Sequence, residues 1–209
     1  MDRQDLLLRR AGVEIRENVE VTTEYAKSVS ADVIIAAIGA RPVKPTIPGI
    51  DGYNVMSAEN AYINTDKIGD KVVIISGGLT GTELGVYLAM LGKTMKIIEM
   101  LPEMSSSGNP AKLGFVVVEM NRRGVSVDCD TTALKITDNG LHAKNLDRDV
   151  FYEADTIIYS VGMDPLFDEA NSFNSCAHEF HQIGDCYTAR NIQSATMAGF
   201  TAARMIGRI

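Results

Sequence analysis

The sequence is poor in the residues that mark several classes of protein. Its 209 residues include no tryptophan, three cysteines and three histidines. Cys129, Cys176 and Cys186 are scattered and form no CxxC pair, so neither a disulfide framework, a zinc site nor a redox dithiol is indicated. The histidines show no metal-ligand spacing either. We therefore predict no metal site, and a reducing, cytoplasmic location.

Long apolar runs and an excess of positive charge are also missing. No stretch of eighteen apolar residues occurs, so no membrane span is expected. The N-terminal sequence MDRQDLLLRR has only three successive leucines, which is not the layout of a signal peptide. The net charge of −7 argues against nucleic acid or an anionic membrane as a partner. With 45% hydrophobic residues, the chain can bury a core in one large domain or two small ones.

The most informative stretch runs from residue 71 to residue 100 and has the pattern of a βαβ unit. The apolar run Val72–Ile75 predicts a parallel strand buried on both faces. Gly92 ends the following helix, and Thr94–Ile98 predicts the second strand. The helix itself is predicted by apolar residues three and four positions apart: Leu84, Tyr87, Leu88 and Leu91.

The turn between this strand and this helix is a close variant of the dinucleotide fingerprint G-x-G-x-x-G. It reads Ser76-Gly77-Gly78-Leu79-Thr80-Gly81, with serine at the first glycine position. Gly78 would let the backbone approach a pyrophosphate lying on the helix N-terminus, and Gly81 would let the helix pack close to the strand. Glu99, about 20 residues further on, is placed to accept hydrogen bonds from an adenosine ribose. The alternative is a glycine-rich turn that binds nothing.

Other elements follow from local patterns along the chain. Helices are predicted near residues 1–10, 111–123 and 191–209, with one weak helical turn in the connector 57–69. Strands are predicted at 13–15, 33–38, 125–128, 156–162 and 180–183, with an edge-strand alternation at Val19 and Val21. Asp138-Asn139-Gly140 predicts a hairpin turn within an antiparallel ribbon. Residues 101–109 and 163–178 are predicted to be irregular.

Three passages share a short apolar strand that ends in Gly or Gly-Asp, at 32–39, 155–162 and 180–185. Together with the βαβ unit they resemble the pyridine nucleotide–disulfide oxidoreductase superfamily. The nearest resemblance is to the C-terminal portion of NADH:flavin oxidoreductases of the 2,4-dienoyl-CoA reductase, enoate reductase and trimethylamine dehydrogenase type. The segment Ala36–Pro42 is similar to the strand that crosses from the FAD domain to the NAD domain, with Ile38 where the family has threonine. Residues 76–83 are similar to the family's G-G-G-x-x-G-x-E, and Ile183–Cys186 to its G-D motif.

The resemblance implies an α/β fold with a Rossmann-like domain, an antiparallel hairpin inset and an incomplete FAD-domain lobe. It implies a partial FAD-binding lobe at 1–52, an NAD(H)-binding domain at 53–165 and a return to the FAD lobe at 166–209. NADH would bind this chain, and FAD would bind the full-length parent, with no catalytic side chain of the chain's own. The implied cofactor-binding residues are Ser76, Gly77, Gly78, Leu79, Thr80, Gly81, Thr82, Glu83, Glu99, Met100, Gly162, Gly39, Gly184 and Asp185.

The family's FAD domain opens with its own glycine-rich turn, and none precedes Asp32. We therefore expect a piece of a larger flavoprotein, whose missing N-terminal part would be a partner of this chain; an oligomer is compatible with the sequence. The alternatives are a nucleotide-binding module without activity, or an unrelated Rossmann enzyme such as a methyltransferase or short-chain dehydrogenase. The absence of a Tyr-x-x-x-Lys pair and the presence of the crossing motifs argue against the latter. Glu83 has a simpler alternative role, as a complement to the helix dipole.

Overall fold

The computed structural model describes residues 2–104 and 110–208, and of Asp2 and Pro110 only the backbone. Residues 105–109 of the predicted loop therefore lie outside the described part of the chain. The chain divides into two compact units, which we name by their places in the sequence: a central unit Ala40–Asp164 and an outer unit made of Met1–Gly39 and Pro165–Ile209.

The helices are α1 (Asp2–Arg10), α2 (Thr23–Val29), α3 (Ala58–Ile63), α4 (Leu79–Met90), α5 (Pro110–Arg123), α6 (Phe167–Asn171) and α7 (Ile192–Met205). The strands are β1 (Val33–Ala36), β2 (Ala40–Pro42), β3 (Val55–Ser57), β4 (Lys71–Ile75), β5 (Thr94–Ile98), β6 (Ser126–Asp128), β7 (Thr131–Thr137), β8 (Gly140–Asn145), β9 (Arg148–Glu153), β10 (Thr156–Tyr159), β11 (Met163–Pro165) and β12 (Glu179–Gln182). Thr65–Lys67 and Gly184–Cys186 form single 3-10 turns.

The central unit is built on a parallel sheet with the strand order β3-β10-β4-β5-β6. The middle strand is β4, which is buried on both faces as its apolar run predicts. Val72 and Ile74 pack with the buried leucines of α4, Leu84 and Leu88. This parallel sheet confirms the Rossmann-like fold class and sets the carboxyl ends of β10, β4 and β5 side by side.

The opposite face of the parallel sheet is covered by the antiparallel inset. Its strand order is β7-β8-β9, so the predicted hairpin forms and gains a third strand. Ile136 and Leu141 are buried against Val73 and Ile75. The added hairpin turn carries a left-handed residue, Leu146 with φ +52°, and lacks the Asn-Gly signal that marks the first turn.

The boundary of the central unit differs from the predicted one. Residues 40–52, assigned above to the first lobe, belong with the central unit because they pack on β7. The carbonyl oxygen of Pro48 accepts the N–H of Ile136 at 2.8 Å. A Cβ added to Gly49, which has φ +90°, would lie 2.2 Å from the carbonyl oxygen of Ile136. Only glycine permits this close backbone approach.

The outer unit contains the helices α1, α2, α6 and α7 and a two-stranded parallel sheet of β1 and β12. Its small core is formed by Ala36, Ala170 and Cys186, with Leu166 and Phe180 packed against them. The helix predicted at the C-terminus and the strands predicted at 33–38 and 180–183 are present with shorter or shifted bounds. The stretch 163–178 contains α6 and β11 and is therefore more ordered than predicted.

The strands predicted at 13–15 and around Val19 and Val21 are absent from the described residues. The alternating valines and isoleucine of this stretch are 42–51% exposed, so they have no neighbouring strand to cover them. Helix α2 follows instead, and the side chain of Thr22 caps it by accepting the N–H of Tyr25 at 3.2 Å. An alternating pattern without a partner strand does not form a sheet.

Candidate functional site

The glycine-rich turn lies at the carboxyl end of β4 and leads directly into α4. The N–H of Ser76 donates to the carbonyl oxygen of Ile98 at 2.9 Å, which ties the turn to β5. Gly78 is the N-cap of α4, with extended backbone angles and no side-chain cap. The first N–H groups of a helix have no intrahelical acceptor, so this end of α4 fits an anionic group.

The three fingerprint positions have different physical constraints. A Cβ on Gly81 would lie 2.3 Å from the carbonyl oxygen of Ser76, so glycine is required there for packing. A Cβ on Gly78 would lie 3.6 Å from the Ser76 hydroxyl, an ordinary contact, so the fold itself does not need glycine at that position. Ser76 has φ +104°, a conformation that favours glycine. The backbone at this position is therefore glycine-like in spite of the serine.

Glu99 follows β5 and is only 6% exposed. Its Oε2 accepts the N–H of Gly77 at 2.6 Å, and its Oε1 accepts the N–H of Leu101 at 2.9 Å. The carboxylate therefore holds the glycine turn in place, a role that the sequence did not reveal. A carboxylate has about four acceptor positions, so each oxygen can accept one further hydrogen bond.

The basic side chain nearest to Glu99 in sequence, Lys96, is held within the central unit. Its Nζ lies 2.8 Å from Oδ1 of Asp128 and 5.7 Å from the centre of the Tyr152 ring. The Tyr152 hydroxyl donates to Oδ2 of Asp128 at 2.7 Å. Burial, followed by this hydrogen bond, raises the pKa of Tyr152 to about 12. Burial alone would raise the pKa of the Asp128 carboxyl, but the hydrogen bonds from Lys96 and Tyr152 have the larger combined effect. The pKa of Asp128 is therefore lower than its ordinary value.

The remaining residues of the fingerprint serve different contacts. Thr82 is fully buried, and its hydroxyl donates to the carbonyl oxygens of Gly78 and Leu79, each at 3.0 Å. Glu83 forms an ion pair with Lys112 of α5 at 2.5 Å, and it is not in the first turn of α4. Thr80 is exposed at the start of the helix. Among these three residues, Thr80 lines a cavity beside the turn.

Two cavities flank the glycine turn at the carboxyl edge of the sheet. The first, of about 360 Å³, is lined by Ser76, Glu99, Met100 and Thr131, among others, and we call it the glutamate cavity. The second, of about 40 Å³, lies at Thr80 and Gly162, and we call it the Gly162 cleft. Val161 lines both, so the two cavities are neighbours past the ends of β5, β4 and β10, and we call them together the track. Ligands of open α/β sheets bind outside the carboxyl ends of the strands.

The sequence reasoning missed several residues of this track. Val161 comes shortly after β10, and Thr131 begins β7. Their position at the glutamate cavity depends on the strand order, which no local pattern in the sequence reveals. The Lys96–Asp128 pair was also missed, because it joins adjacent strands whose register is visible only in the fold. Met100, one of the implied cofactor-binding residues, is 68% exposed and lines the glutamate cavity.

The other predicted site residues lie in the outer unit. Strands β1 and β12 are parallel, so Gly39 and Gly184 follow the same edge of this small sheet. Both glycines have positive φ, +82° and +67°. Oδ1 of Asp185 accepts the N–H of Arg190 at 3.4 Å, a long contact that leaves most of the carboxylate available. The outer unit also has a largely apolar groove of about 980 Å³, lined by α2, β1 and residues 168–173.

The structure also bears on metal, disulfide and membrane chemistry. In residues 2–104 and 110–208 no group of three or more His, Cys, Asp or Glu side chains is arranged to hold a metal ion. All three cysteines are free thiols. None of the helices in the described ranges is long and apolar enough to cross a bilayer.

Comparison with known proteins places the chain among relatives of similar fold. It is 28% identical to an NADH oxidase of Thermoanaerobacter brockii over 95% of this chain and 32% of the relative. It is 29% identical to a cinnamate reductase of Clostridium sporogenes over 96% of this chain and 30% of the relative. The chain therefore spans about a third of the length of these relatives.

Solved structures agree with this placement. A 2-naphthoyl-CoA reductase superposes with a TM-score of 0.88 at 27% identity, over 94% of this chain and 30% of that one. A thioredoxin reductase of T. acidophilum, at 18% identity and a TM-score of 0.63 over 82% of this chain and 63% of that one, shares the fold. The sequence model of the pyridine nucleotide-disulphide oxidoreductase family matches residues 3–174, and the chain belongs to that family.

Proposed function

We propose that the central unit binds NADH along the track formed by the glutamate cavity, the glycine turn and the Gly162 cleft. The observation that carries this proposal is the arrangement of two neighbouring cavities at the start of α4. Glu99 lines one of them, Gly162 lines the other, and the N-terminus of α4 has no side-chain cap. A dinucleotide needs three such places in a row, one each for adenosine, pyrophosphate and nicotinamide. The family's cofactors, NAD(P)H and FAD, are consistent with it.

The chain's own residues then act by binding and orientation. Glu99 accepts hydrogen bonds from the adenosine ribose while it holds the N–H of Gly77. The first N–H groups of α4 receive the pyrophosphate, and Gly162, with φ +121° and no atom within 4 Å of an added Cβ, leaves room for a flat ring. When bound, the nicotinamide supplies hydride and a flavin accepts it. The chain adds no nucleophile or metal in this account.

The site favours NADH over NADPH. A 2′-phosphate would bring a second anion close to the Glu99 carboxylate, and sites for NADPH offset that phosphate with a nearby arginine. Met100 and Leu101, which follow Glu99, are not basic. Lys96, the one lysine within β5, forms an ion pair with Asp128, and its Nζ lies over the Tyr152 ring. The charge on Glu99 therefore stays uncompensated by this lysine.

We further infer that the parent is an NADH:flavin oxidoreductase of the 2,4-dienoyl-CoA reductase, enoate reductase or trimethylamine dehydrogenase type. In it the outer unit would hold FAD at Gly39, Gly184 and Asp185. The chain's span of about a third of its relatives supports this, as does the apolar groove beside β1. Because the outer unit has no glycine-rich turn for the FAD pyrophosphate, the 209-residue chain should be isolated without flavin. A yellow protein with stoichiometric flavin absorbance would contradict this.

The test of NADH binding uses Gly78→Ala. The backbone of Gly78 has φ −69° and space for a methyl group, so we expect thermal stability close to that of the wild type. The same methyl group would stand where the pyrophosphate approaches the helix, so NADH affinity measured by calorimetry should fall at least about tenfold, or roughly 1.4 kcal/mol.

Gly114→Ala is the matched control. It introduces the same methyl group on α5, where nothing lies within 4 Å, and should leave NADH affinity unchanged. Equal NADH affinity in Gly78→Ala and Gly114→Ala would remove the glycine turn from the binding site. A chain that binds NADH but transfers no electrons to added flavin would favour the second candidate, a nucleotide-binding module without activity of its own. The absence of a flavin pyrophosphate turn is the observation behind that candidate.

A further inference from the structure

Ser76 is the one residue of the fingerprint whose identity conflicts with its backbone. Its φ of +104° is costly for a residue with a Cβ, and the family pattern has glycine there. The conformation is imposed from both sides of the residue. Its N–H is bonded to the carbonyl oxygen of Ile98 at 2.9 Å, and its own carbonyl oxygen packs against Gly81. A strained residue that persists at a binding turn calls for a compensating role.

The side chain of Ser76 is placed for such a role. Its Oγ lies 3.4 Å from the N–H of Gly78 and accepts from it, which sets the hydroxyl beside the N-terminus of α4. Ser76 also lines the glutamate cavity together with Glu99. Within residues 2–104 and 110–208, no hydrogen bond takes up the hydroxyl proton of Ser76. The hydroxyl therefore has a proton to donate at the place where the pyrophosphate is proposed to lie.

We propose that Ser76 is a ligand-binding residue whose hydroxyl donates a hydrogen bond to the dinucleotide pyrophosphate, in place of the unstrained turn that glycine would provide. This inference rests on the proposed NADH site and adds a side-chain donor to it. A hydroxyl that accepts an N–H bond is a better donor, because linked hydrogen bonds polarise one another. Serine at this position therefore lowers the stability of the fold and raises the affinity for the dinucleotide.

The inference predicts opposite effects of one substitution on stability and on binding. Ser76→Gly removes both the strain and the donor, so its melting temperature should rise by about 2–4 °C while the Kd for NADH increases about three- to tenfold. Ser76→Ala keeps the Cβ and the strain but lacks the hydroxyl. Its melting temperature should not rise, and its Kd for NADH should increase by the same factor. Adenosine, which has no pyrophosphate, should bind all three proteins with the same affinity.

Each outcome of the calorimetry and thermal melts decides a different point. Ser76→Gly binding NADH as tightly as the wild type would overturn the role of the hydroxyl, and so would an equal loss of adenosine affinity, which would indicate a change of cavity shape. An unchanged melting temperature in Ser76→Gly would overturn the strain argument. A wild-type chain that binds no NADH at all would instead refute the proposed function on which the inference rests.

Discussion

Glu99 holds the glycine turn and, in the proposed NADH site, also determines the choice of cofactor. It is 6% exposed, and each of its oxygens accepts one backbone N–H, from Gly77 and Leu101. Hydrogen bonds to a charged group contribute roughly 1.5–3 kcal/mol each. Glu99→Ala would remove both acceptors, so we expect a loss of about 3–5 kcal/mol in the free energy of unfolding. This variant therefore reports on folding before it reports on cofactor selectivity.

Glu99→Gln separates the two effects. The amide oxygen can keep one of the two N–H bonds, while the amide nitrogen faces the other donor, so the free energy of unfolding should fall by about 1–2 kcal/mol. For a chain of this size that corresponds to a melting temperature lower by roughly 2–8 °C. The folded population remains dominant, because domains of this kind are stable by about 5–15 kcal/mol.

The effect of Glu99→Gln on selectivity follows from the charge alone. Two unit charges about 4 Å apart repel by roughly 4 kcal/mol at an effective dielectric of 20, and screening by solvent and salt reduces this to about 1–3 kcal/mol. The wild type should therefore prefer NADH over NADPH by about ten- to a hundredfold. Glutamine has no charge, so the preference for NADH over NADPH should be about tenfold smaller in Glu99→Gln than in the wild type.

Calorimetric titration of both cofactors at low and high salt is the assay. The preference of the wild type for NADH over NADPH should decrease as the salt concentration rises, whereas the preference of Glu99→Gln should depend much less on salt. Equal affinity of the wild type for NADH and NADPH would refute the reasoning. A Glu99→Gln protein that is folded and keeps the full preference would show that the carboxylate is not at the ribose.

Three further substitutions test the surroundings of the site. Gly81→Ala should destabilise the fold by about 3 kcal/mol or more in denaturant titrations, because its Cβ would lie 2.3 Å from the Ser76 carbonyl oxygen; a stable variant would contradict the packing argument. Asp128→Asn should cost about 1 kcal/mol at pH 7, since the pair with Lys96 is about a third exposed and partly screened. Because the pKa of Asp128 is lowered in the folded state, this stabilisation is present above the ordinary aspartate pKa and is lost as pH falls below about 4. The free energies of unfolding of the wild type and Asp128→Asn should therefore converge in acid. A difference that stays constant with pH would contradict the argument. Met100→Arg should raise NADPH affinity about tenfold without lowering the melting temperature, because Met100 is 68% exposed; unchanged NADPH affinity in titrations would place the 2′ position elsewhere.

Much of the central unit could be predicted from the sequence because its signals are local. The run Val72–Ile75 requires apolar neighbours on both faces and finds them in α4 and in the β7–β8 hairpin. The face of α4 was predicted less well. Tyr87 and Leu91 are 38% and 49% exposed, whereas the buried face of α4 includes Gly81, Thr82 and Gly85, small residues that allow the helix to approach the sheet closely. Periodicity of large residues does not detect packing through small ones.

The outer unit was harder to predict, because its strands depend on partners distant in sequence. Val33–Ala36 becomes a strand through pairing with Glu179–Gln182, whereas the alternating stretch around Val19 and Val21 has no such partner and forms no strand. The start of β10 shows the same dependence on distant contacts. In the sequence, Asp155 only precedes an apolar run, whereas in the fold its Oδ2 accepts the N–H groups of Asp70 and Lys71 at 3.0 and 2.8 Å. That aspartate therefore fixes the register of β10 against β4.

The fingerprint itself combines two kinds of information that the structure separates. Gly81 is required by the fold, since any side chain would collide with the backbone of Ser76. Gly78 is not required by the fold, since a methyl group fits in ordinary contact, and the proposed approach of a ligand to the backbone would account for glycine at that position. A protein that used the turn only for packing would need the first constraint and not the second. The presence of both glycines, beside a carboxylate that keeps acceptor positions free, is therefore the physical basis for treating this turn as a binding site.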